Sequence, residues 1–212
     1  MRQIIGNSQI LIILFLLLVS CEIKSAENHD VKTPFMERIK NKYPNANIGV
    51  DDSGMYWLSF WGQRDSLDNW FHYVEDKEDS INKISFRYYD KISTEISHLK
   101  KFKKLETLII NECNLKEIPS FIFKFQSLEN LNLKFNNISV IPKEINKLDK
   151  LIHLKLSSNH IKKIPKEIGD ITSLVEFTIS YNLIEELPNE ISNLKNLEGL
   201  SLSNNPELKK LP

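Results

Sequence analysis

Histidines and cysteines are the side chains of this sequence best suited to acid–base, nucleophilic or metal chemistry. The 212 residues include two cysteines and five histidines, and the histidines are His29, His72, His98, His153 and His160. No Gly-rich phosphate loop, GxSxG, HExxH or metal-spaced Cys/His cluster accompanies them. His153 and Glu176 lie 23 residues apart, and a lone pair of this kind usually has no catalytic role. The sequence therefore predicts no catalytic residue, no metal and no cofactor, so we expect that the protein is not an enzyme.

Cys21 follows an apolar run of ten residues, ILIILFLLLV, at positions 10–19. This run is long enough for the core of a signal peptide and too short for a membrane-spanning helix, which needs about 20 residues. The segment Leu18-Val19-Ser20-Cys21 resembles the lipobox of bacterial lipoproteins. The resemblance implies a signal peptide at residues 1–20 and a diacylglyceryl group on Cys21, followed by a flexible tether at residues 21–32. We therefore expect a lipid-anchored protein of the cell envelope, outside the cytoplasm; a secreted protein cleaved nearby, after Ala26, is the alternative.

The composition excludes several classes of protein. Basic and acidic residues are equal in number, 28 of each, whereas a nucleic-acid-binding protein needs a basic face. The 6 glycines are fewer than the number expected from an average usage of about 7%, which disfavours a barrel with many tight turns. Two cysteines cannot provide a disulfide framework. We expect no nucleic-acid partner and a fold that is stabilised by its apolar core.

The dominant feature of the sequence is a repeat with a period of 23 residues. Leu105 opens the first regular copy, and leucine recurs at the same position in each later copy, at Leu128, Leu151, Leu174 and Leu197. Apolar residues follow at +3 and +5, and an Ile-Pro or Leu-Pro pair follows near +13. Each copy has one apolar edge and cannot form a core alone, so we expect neighbouring copies to cover each other.

The pattern LxxLxLxxNxLxxLPxxIxxLxx resembles that of the leucine-rich repeat family. The resemblance implies an α/β solenoid, a right-handed superhelix with a parallel β-sheet on its concave face. The repeats would be residues 105–127, 128–150, 151–173, 174–196 and 197–212, preceded by a degenerate first repeat at 81–104, where Ile84 and Phe86 are displaced by one position. The fifth copy stops halfway, and three explanations are open: the stack ends there, the edge is a contact site, or the reading frame is truncated.

Position +8 of each copy is occupied by asparagine, or by cysteine in the first. An asparagine amide has two donors and an acceptor, and can pair with backbone groups that a tight coil leaves buried. We expect these residues to form a structural ladder: Cys113, Asn136, Asn159, Asn182 and Asn205. A redox or metal role for Cys113 is the alternative.

Residues 33–80 differ from the repeats and are predicted to form a small α+β cap at the N-terminal end. Thr33-Pro34 indicates a helix start, and residues 48–50 and 55–61 indicate two strands joined by the turn DDSG. A second helix is predicted around residues 66–74. Trp57, Trp61 and Trp70 are expected in the core of the cap; the alternative is an aromatic cleft for a sugar, with Asp65, Asp68 or His72 beside it.

The side chains between the inward leucines of each strand are expected to face solvent on the concave surface. We predict a non-enzymatic module that recognises an unknown protein or glycan outside the cytoplasm, tethered to a membrane through Cys21. An enzyme or sugar-binding domain at the N-terminus, positioned by the repeats, is the alternative. The predicted partner-binding residues are Ile109, Asn132, Lys134, Phe135, His153, Lys155, Glu176 and Tyr181. Five strands give a face of about 500 Å², below the roughly 800 Å² of a standard interface, so we expect the cap or the loops to contribute.

Overall fold

The computed structural model describes residues 33–62, 70–90, 92, 96–209 and 211. The predicted signal peptide, Cys21 and the tether lie outside the described residues, as do Asp65 and Asp68. Within the described part of the chain, no helix is long and apolar enough to cross a membrane.

An N-terminal unit ends at Glu37, and a second unit begins at Arg38. The boundary falls within helix α1, Pro34–Lys42. In the N-terminal unit, the Thr33 hydroxyl accepts a hydrogen bond from the Met36 amide at 3.3 Å. The side chain of Thr33 thus pairs with one of the amides that a helix start leaves without a helical partner, while Pro34 has no amide to satisfy.

One sheet organises the second unit. Eight strands among the described residues lie in chain order: β1 Asn47–Val50, β2 Tyr56–Trp61, β3 Ile81–Arg87, β4 Thr107–Asn111, β5 Asn130–Asn132, β6 His153–Lys155, β7 Glu176–Thr178 and β8 Gly199–Ser201. The pair β1–β2 is antiparallel, and every later pair is parallel. The sheet therefore continues for three strands beyond the five regular repeats.

The register places equivalent residues of successive repeats side by side. Leu108 pairs with Leu131, Leu131 with Leu154, and Leu154 with Phe177. The leucines that open the first four regular copies are fully buried. The side chains of the last strand are less covered, and Leu200 is exposed. Each coil therefore buries its apolar side chains against the coils before and after it.

The proline half of each repeat returns the chain to the next strand. Pro119, Pro142, Pro165 and Pro188 are the residues that precede the 3-10 helices Ser120–Lys124, Lys143–Lys147, Lys166–Asp170 and Asn189–Asn193. Proline has no amide for a strand ladder, so it ends the extended segment and suits a helix start. Between the last two helices the backbones approach closely: a Cβ on Gly169 would lie 2.3 Å from the Glu190 carbonyl oxygen.

The asparagines at +8 connect neighbouring coils. The Asn136 Oδ1 accepts hydrogen bonds from the amides of Cys113 and Leu115, both at 3.1 Å. Its Nδ2 donates to the carbonyl oxygens of Ile110, at 2.7 Å, and Leu133, at 3.1 Å. The carboxamides of Asn159, Asn182 and Asn205 make the same kinds of hydrogen bond. Each donates to carbonyl oxygens of its own coil and of the preceding coil, and each accepts a hydrogen bond from a backbone amide of the preceding coil. Cys113 Sγ makes only weaker contacts, with the carbonyl oxygens of Asn111 and Phe86 at 3.1 and 3.7 Å.

A row of residues with left-handed backbone conformation follows the strands, directly after β3 and β4 and three residues after the ends of β5 to β8. We call it the strand-end row; its members are Tyr88, Glu112, Phe135, Ser158, Tyr181 and Asn204, with φ between 56° and 65°. Within the row, the amides of Glu112, Phe135, Ser158 and Tyr181 each donate to a carbonyl oxygen of the next coil, at 2.8 to 3.3 Å. Asparagine tolerates this conformation well, whereas a bulky side chain is strained in it.

Replacing Phe135 by asparagine should therefore stabilise the protein. Phe135→Asn keeps the backbone conformation, replaces the ring by a short polar side chain that tolerates it, and removes no buried side chain, since Phe135 is 53% exposed. We expect the free energy of unfolding to rise by about 1 kcal/mol in a denaturant titration. The control is Val140→Asn, because Val140 is 62% exposed and has no positive φ. A gain for Phe135→Asn no larger than that of the control would contradict the expectation.

Candidate functional site

The outward-facing side chains of the sheet form a continuous surface across β2 to β8, which we call the strand face. Because strand side chains alternate, every second residue points away from the core. In register, one column runs Trp57, Lys83, Thr107, Asn130, His153, Glu176 and Gly199, and the next runs Ser59, Ser85, Ile109, Asn132, Lys155, Thr178 and Ser201. Beyond them, Trp61, Arg87 and Asn111 are aligned at the ends of β2 to β4.

A depression of about 350 Å³ lies in the strand face. It is lined by Lys83, Thr107, Ile109, Asn130, Leu131, Asn132, His153 and Lys155. Ile109 supplies a half-buried apolar surface, and the other lining groups include two amines and two carboxamides. The depression can thus receive a group that combines apolar area with hydrogen-bond acceptors or negative charge.

Glu176 pairs with two basic side chains beside this depression. Its Oε2 lies 2.7 Å from Lys155 Nζ and 3.2 Å from His153 Nδ1. The hydrogen bond from Lys155, opposed by partial desolvation, lowers the pKa of the Glu176 carboxyl from its usual value. All three side chains are about one-third exposed, so solvent weakens these ion pairs. The pairs fix the orientation of Lys155 and His153 rather than stabilise the fold.

The strand face carries more positive than negative charge, although the whole chain is neutral. In its columns, at its strand ends and in the strand-end row, the basic residues are Lys83, Arg87, Lys155 and Lys134, which follows β5, while the acidic ones are Glu176 and Glu112. Four cations against two carboxylates give a local excess of two positive charges when histidine is neutral. Such a surface complements an acidic partner and raises its association rate.

Three rings of the strand-end row are exposed to solvent. Phe135 is 53% exposed, Tyr181 61% and Tyr88 43%. Next to Tyr88, the Trp61 ring is 44% exposed, lies 6.1 Å from the Tyr88 ring, and has the Arg87 guanidinium 5.3 Å above it. Large exposed rings around a basic surface are typical of protein interfaces.

The three tryptophans have different environments. Trp70 is fully buried and stacks on Phe102, with ring centroids 5.8 Å apart, and Trp57 is half-buried over Gly49. The expectation that all three form the core is therefore wrong for Trp57 and Trp61, which lie on the outward-facing side of β2. A cleft made of all three rings is also excluded, because Trp70 lies in the core. The described end of the predicted second helix is a 3-10 helix, Trp70–Tyr73.

The predicted partner-binding residues fall into two groups. Ile109, Asn132, His153 and Lys155 meet around the depression, with Glu176 beside them. Phe135 and Tyr181 lie in the strand-end row. Lys134 directly precedes Phe135 in the chain. Whether these residues bind a partner remains a prediction.

Lys83, Trp61 and Tyr88 are not among the partner-binding residues predicted from the sequence. Lys83 and Tyr88 were missed because β3 is displaced by one residue from the 23-residue period: Ile84 pairs with Leu108, 24 residues later. The displacement of Ile84 and Phe86 was visible in the sequence, and applying it to the rest of the strand places Tyr88 in the strand-end row. Trp61 had no such signal, since its exposure depends on how β2 joins the sheet.

The buried thiol of Cys113 is poorly suited to chemistry. Burial raises its pKa to about 12, so the thiol stays protonated at neutral pH. Burial likewise raises the pKa of the nearby Tyr89 hydroxyl to about 12. Among the described residues, no group of three His, Cys, Asp or Glu side chains could hold a metal ion.

Residues 84–182 match a protein family described as a leucine-rich repeat region. No curated protein matches the chain at a significant level. Among solved structures, a leucine-rich repeat protein of Leptospira interrogans is 29% identical over 63% of this chain and 45% of that chain, with a TM-score of 0.48. An internalin of Listeria monocytogenes is 17% identical over 72% of this chain and 44% of that chain, with a TM-score of 0.53.

Toll of Drosophila, in its complex with Spatzle, is 23% identical over 73% of this chain and 21% of that chain, with a TM-score of 0.61. The chain thus spans less than half the length of each of these three proteins. The similarity to the internalin and to Toll is a similarity of fold. Together with the observed register of the 23-residue period, these matches identify the fold of this chain as a leucine-rich repeat solenoid.

Proposed function

We propose that this chain is a non-enzymatic recognition module that binds a protein partner outside the cytoplasm, on the strand face and the strand-end row. The observation that carries the proposal is the combination of exposed rings with a local excess of positive charge in a neutral chain. Rings supply apolar area that is fully desolvated on binding, and the charges orient the partner.

The size of the surface supports a protein partner. Seven strands at about 4.8 Å spacing extend the strand face across roughly 30 Å, and the strand-end row widens it. β2 and β3 supply Trp61, Lys83, Arg87 and Tyr88, which the five regular repeats lack. This addition brings the area closer to the roughly 800 Å² per partner of a standard interface.

The proposal includes membrane tethering through a lipid on Cys21. It rests on the apolar run at residues 10–19 and on the segment Leu18-Val19-Ser20-Cys21. A diacylglyceryl group supplies two acyl chains, which hold a protein on a bilayer more firmly than a single chain does. The strand face would then be presented outside the cytoplasm.

Charge reversal on the strand face should abolish binding of the partner. Lys83→Glu combined with Lys134→Glu changes the excess of two positive charges to two negative charges, and both side chains are at least partly exposed. The measurement is affinity capture from a cell-envelope extract with the fragment from Glu22 onward, with the captured protein quantified. We expect recovery to fall at least about tenfold.

The matched control makes the same charge change on the 3-10 helices, with Lys147→Glu and Lys166→Glu, which are both exposed. We expect this variant to capture as much partner as the unmodified fragment. Equal recovery by both double variants, or no protein captured by the unmodified fragment, would refute binding on the strand face.

Cys21→Ala should release the full chain from membranes. The substitution removes the sulfur that would carry the lipid, so the protein should move from the membrane fraction to the soluble fraction and lose incorporation of labelled fatty acid. The control is Ser20→Ala, which keeps Cys21 in place. Membrane association and labelling that persist in Cys21→Ala would contradict the lipid anchor.

A further inference from the structure

Three exposed rings of the strand-end row recur on every second coil. Tyr88, Phe135 and Tyr181 are separated by Glu112 and Ser158, which occupy the same backbone position on the coils between them. Neighbouring strands lie about 4.8 Å apart, so successive rings are separated by about 9.6 Å along the row. Trp61 enlarges the first of the three aromatic positions, because its ring lies 6.1 Å from that of Tyr88.

The rings occupy a backbone conformation that disfavours them. Ser158 and Asn204 show that smaller polar residues occupy the same turn, and asparagine does so with little strain. Tyr88, Phe135 and Tyr181 adopt it with φ of 65°, 57° and 56°, and their rings remain in solvent. Strained residues that contribute nothing to the core are concentrated at functional sites. The fold imposes this conformation on each of these coils, but a bulky ring there adds strain and gains no burial, and this choice of residue points to a ligand.

The spacing distinguishes between the possible backbones of a bound peptide. In an extended strand, side chains on one face repeat at roughly 6.6 Å, which does not match the rings. A polyproline II helix has three residues per turn and about 3.1 Å of rise per residue, so its side chains repeat at about 9.3 Å. This repeat agrees with the interval of about 9.6 Å between the rings.

The neighbouring polar groups fit the same ligand. Polyproline II backbone has no internal hydrogen bonds, and its carbonyl oxygens are free to accept from a partner. Near Tyr88, the first ring position, Arg87 Nε and Asn111 Oδ1 are buried and have no hydrogen-bond partner among the described residues. Asn111 itself is 7% exposed. Both atoms are covered in this conformation, so a side-chain rotation on binding is needed for Arg87 to donate to a peptide carbonyl and for Asn111 to accept from the amide of a residue that is not proline.

We propose that the strand-end row, with Trp61, binds a proline-rich segment of the partner in the polyproline II conformation. The inference rests on the proposed function and names the kind of segment that the surface recognises. From Tyr88 to Tyr181 the row crosses four strand intervals, about 19 Å, which corresponds to about six residues of polyproline II. Aromatic grooves suit this helix because it is already ordered before it binds.

The test titrates a fluorescent oligoproline peptide of about twelve residues into the full chain. The probe variant is Phe135→Asn with Tyr181→Asn, which removes two rings from positions where asparagine is tolerated. The control variant is Val140→Asn, and the control ligand is a Gly/Ser peptide of the same length. We expect saturable binding of oligoproline that the double variant weakens at least about tenfold. Val140→Asn should leave it unchanged, and the Gly/Ser peptide should not bind.

Absence of oligoproline binding, or equal affinity of the unmodified chain and the double variant, would overturn the inference. Ring-dependent binding of a β-linked oligosaccharide in place of the peptide would also overturn it and assign the row to glycans. The capture experiment separates these failures from failure of the proposed function. If capture still depends on Lys83 and Lys134 while oligoproline does not bind, the chain recognises a protein by another kind of segment.

Discussion

The hydrogen bonds of the buried asparagine carboxamides are the interaction on which this structure depends. Coils of this size leave backbone amides and carbonyls inside, out of reach of water, and each unpaired group costs about 1–3 kcal/mol. Asn136, Asn159, Asn182 and Asn205 pair with such groups in their own coil and in the preceding one. One asparagine side chain forms hydrogen bonds with backbone groups of two neighbouring coils. The same bonds therefore pair the buried backbone and hold the coils in the positions that stack their leucines.

The need to place an asparagine inside each coil also produces the strand-end row, which is part of the candidate binding surface. Phe135, Ser158, Tyr181 and Asn204 each directly precede an asparagine of the ladder. To direct the asparagine inward after a strand, the chain turns at this preceding residue, which takes the left-handed conformation and points outward. The strand-end row is therefore a consequence of the ladder. Its aromatic members have no role in the core, and this explains why they are candidates for recognition.

Like the strand-end row, the strand face is positioned by the fold, although its side chains are not part of the core. Its side chains lie between inward-facing residues that the core fixes, so they can vary without loss of packing. The excess of positive charge and the depression beside Lys155 and His153 are properties of these variable positions. The scaffold thus determines where a partner can bind, and the variable residues determine which partner binds.

The 23-residue period was sufficient to predict the fold and the alignment of the regular strands, because each coil packs against copies of itself. It also placed Phe135 and Tyr181 in one row. The period alone does not place Tyr88, since one additional residue displaces β3 from it; the displaced Ile84 and Phe86 are the signal that corrects the position. Nor could the period predict the exposure of Trp61 or the continuation of the sheet through β1 and β2, which depend on pairing between segments that share no repeat.

The ladder can be tested by comparing the stability of Asn159→Ala with that of Asn137→Ala. Asn159→Ala leaves the Ile138 amide and the carbonyl oxygens of Leu133 and Leu156 without these partners, so the free energy of unfolding should fall by at least about 3 kcal/mol in a denaturant titration. Asn137 is exposed, and its side chain bonds only weakly, to Asn114 at 3.4 Å, so its replacement should cost less than about 0.5 kcal/mol. Equal, small losses for the two variants would contradict the account.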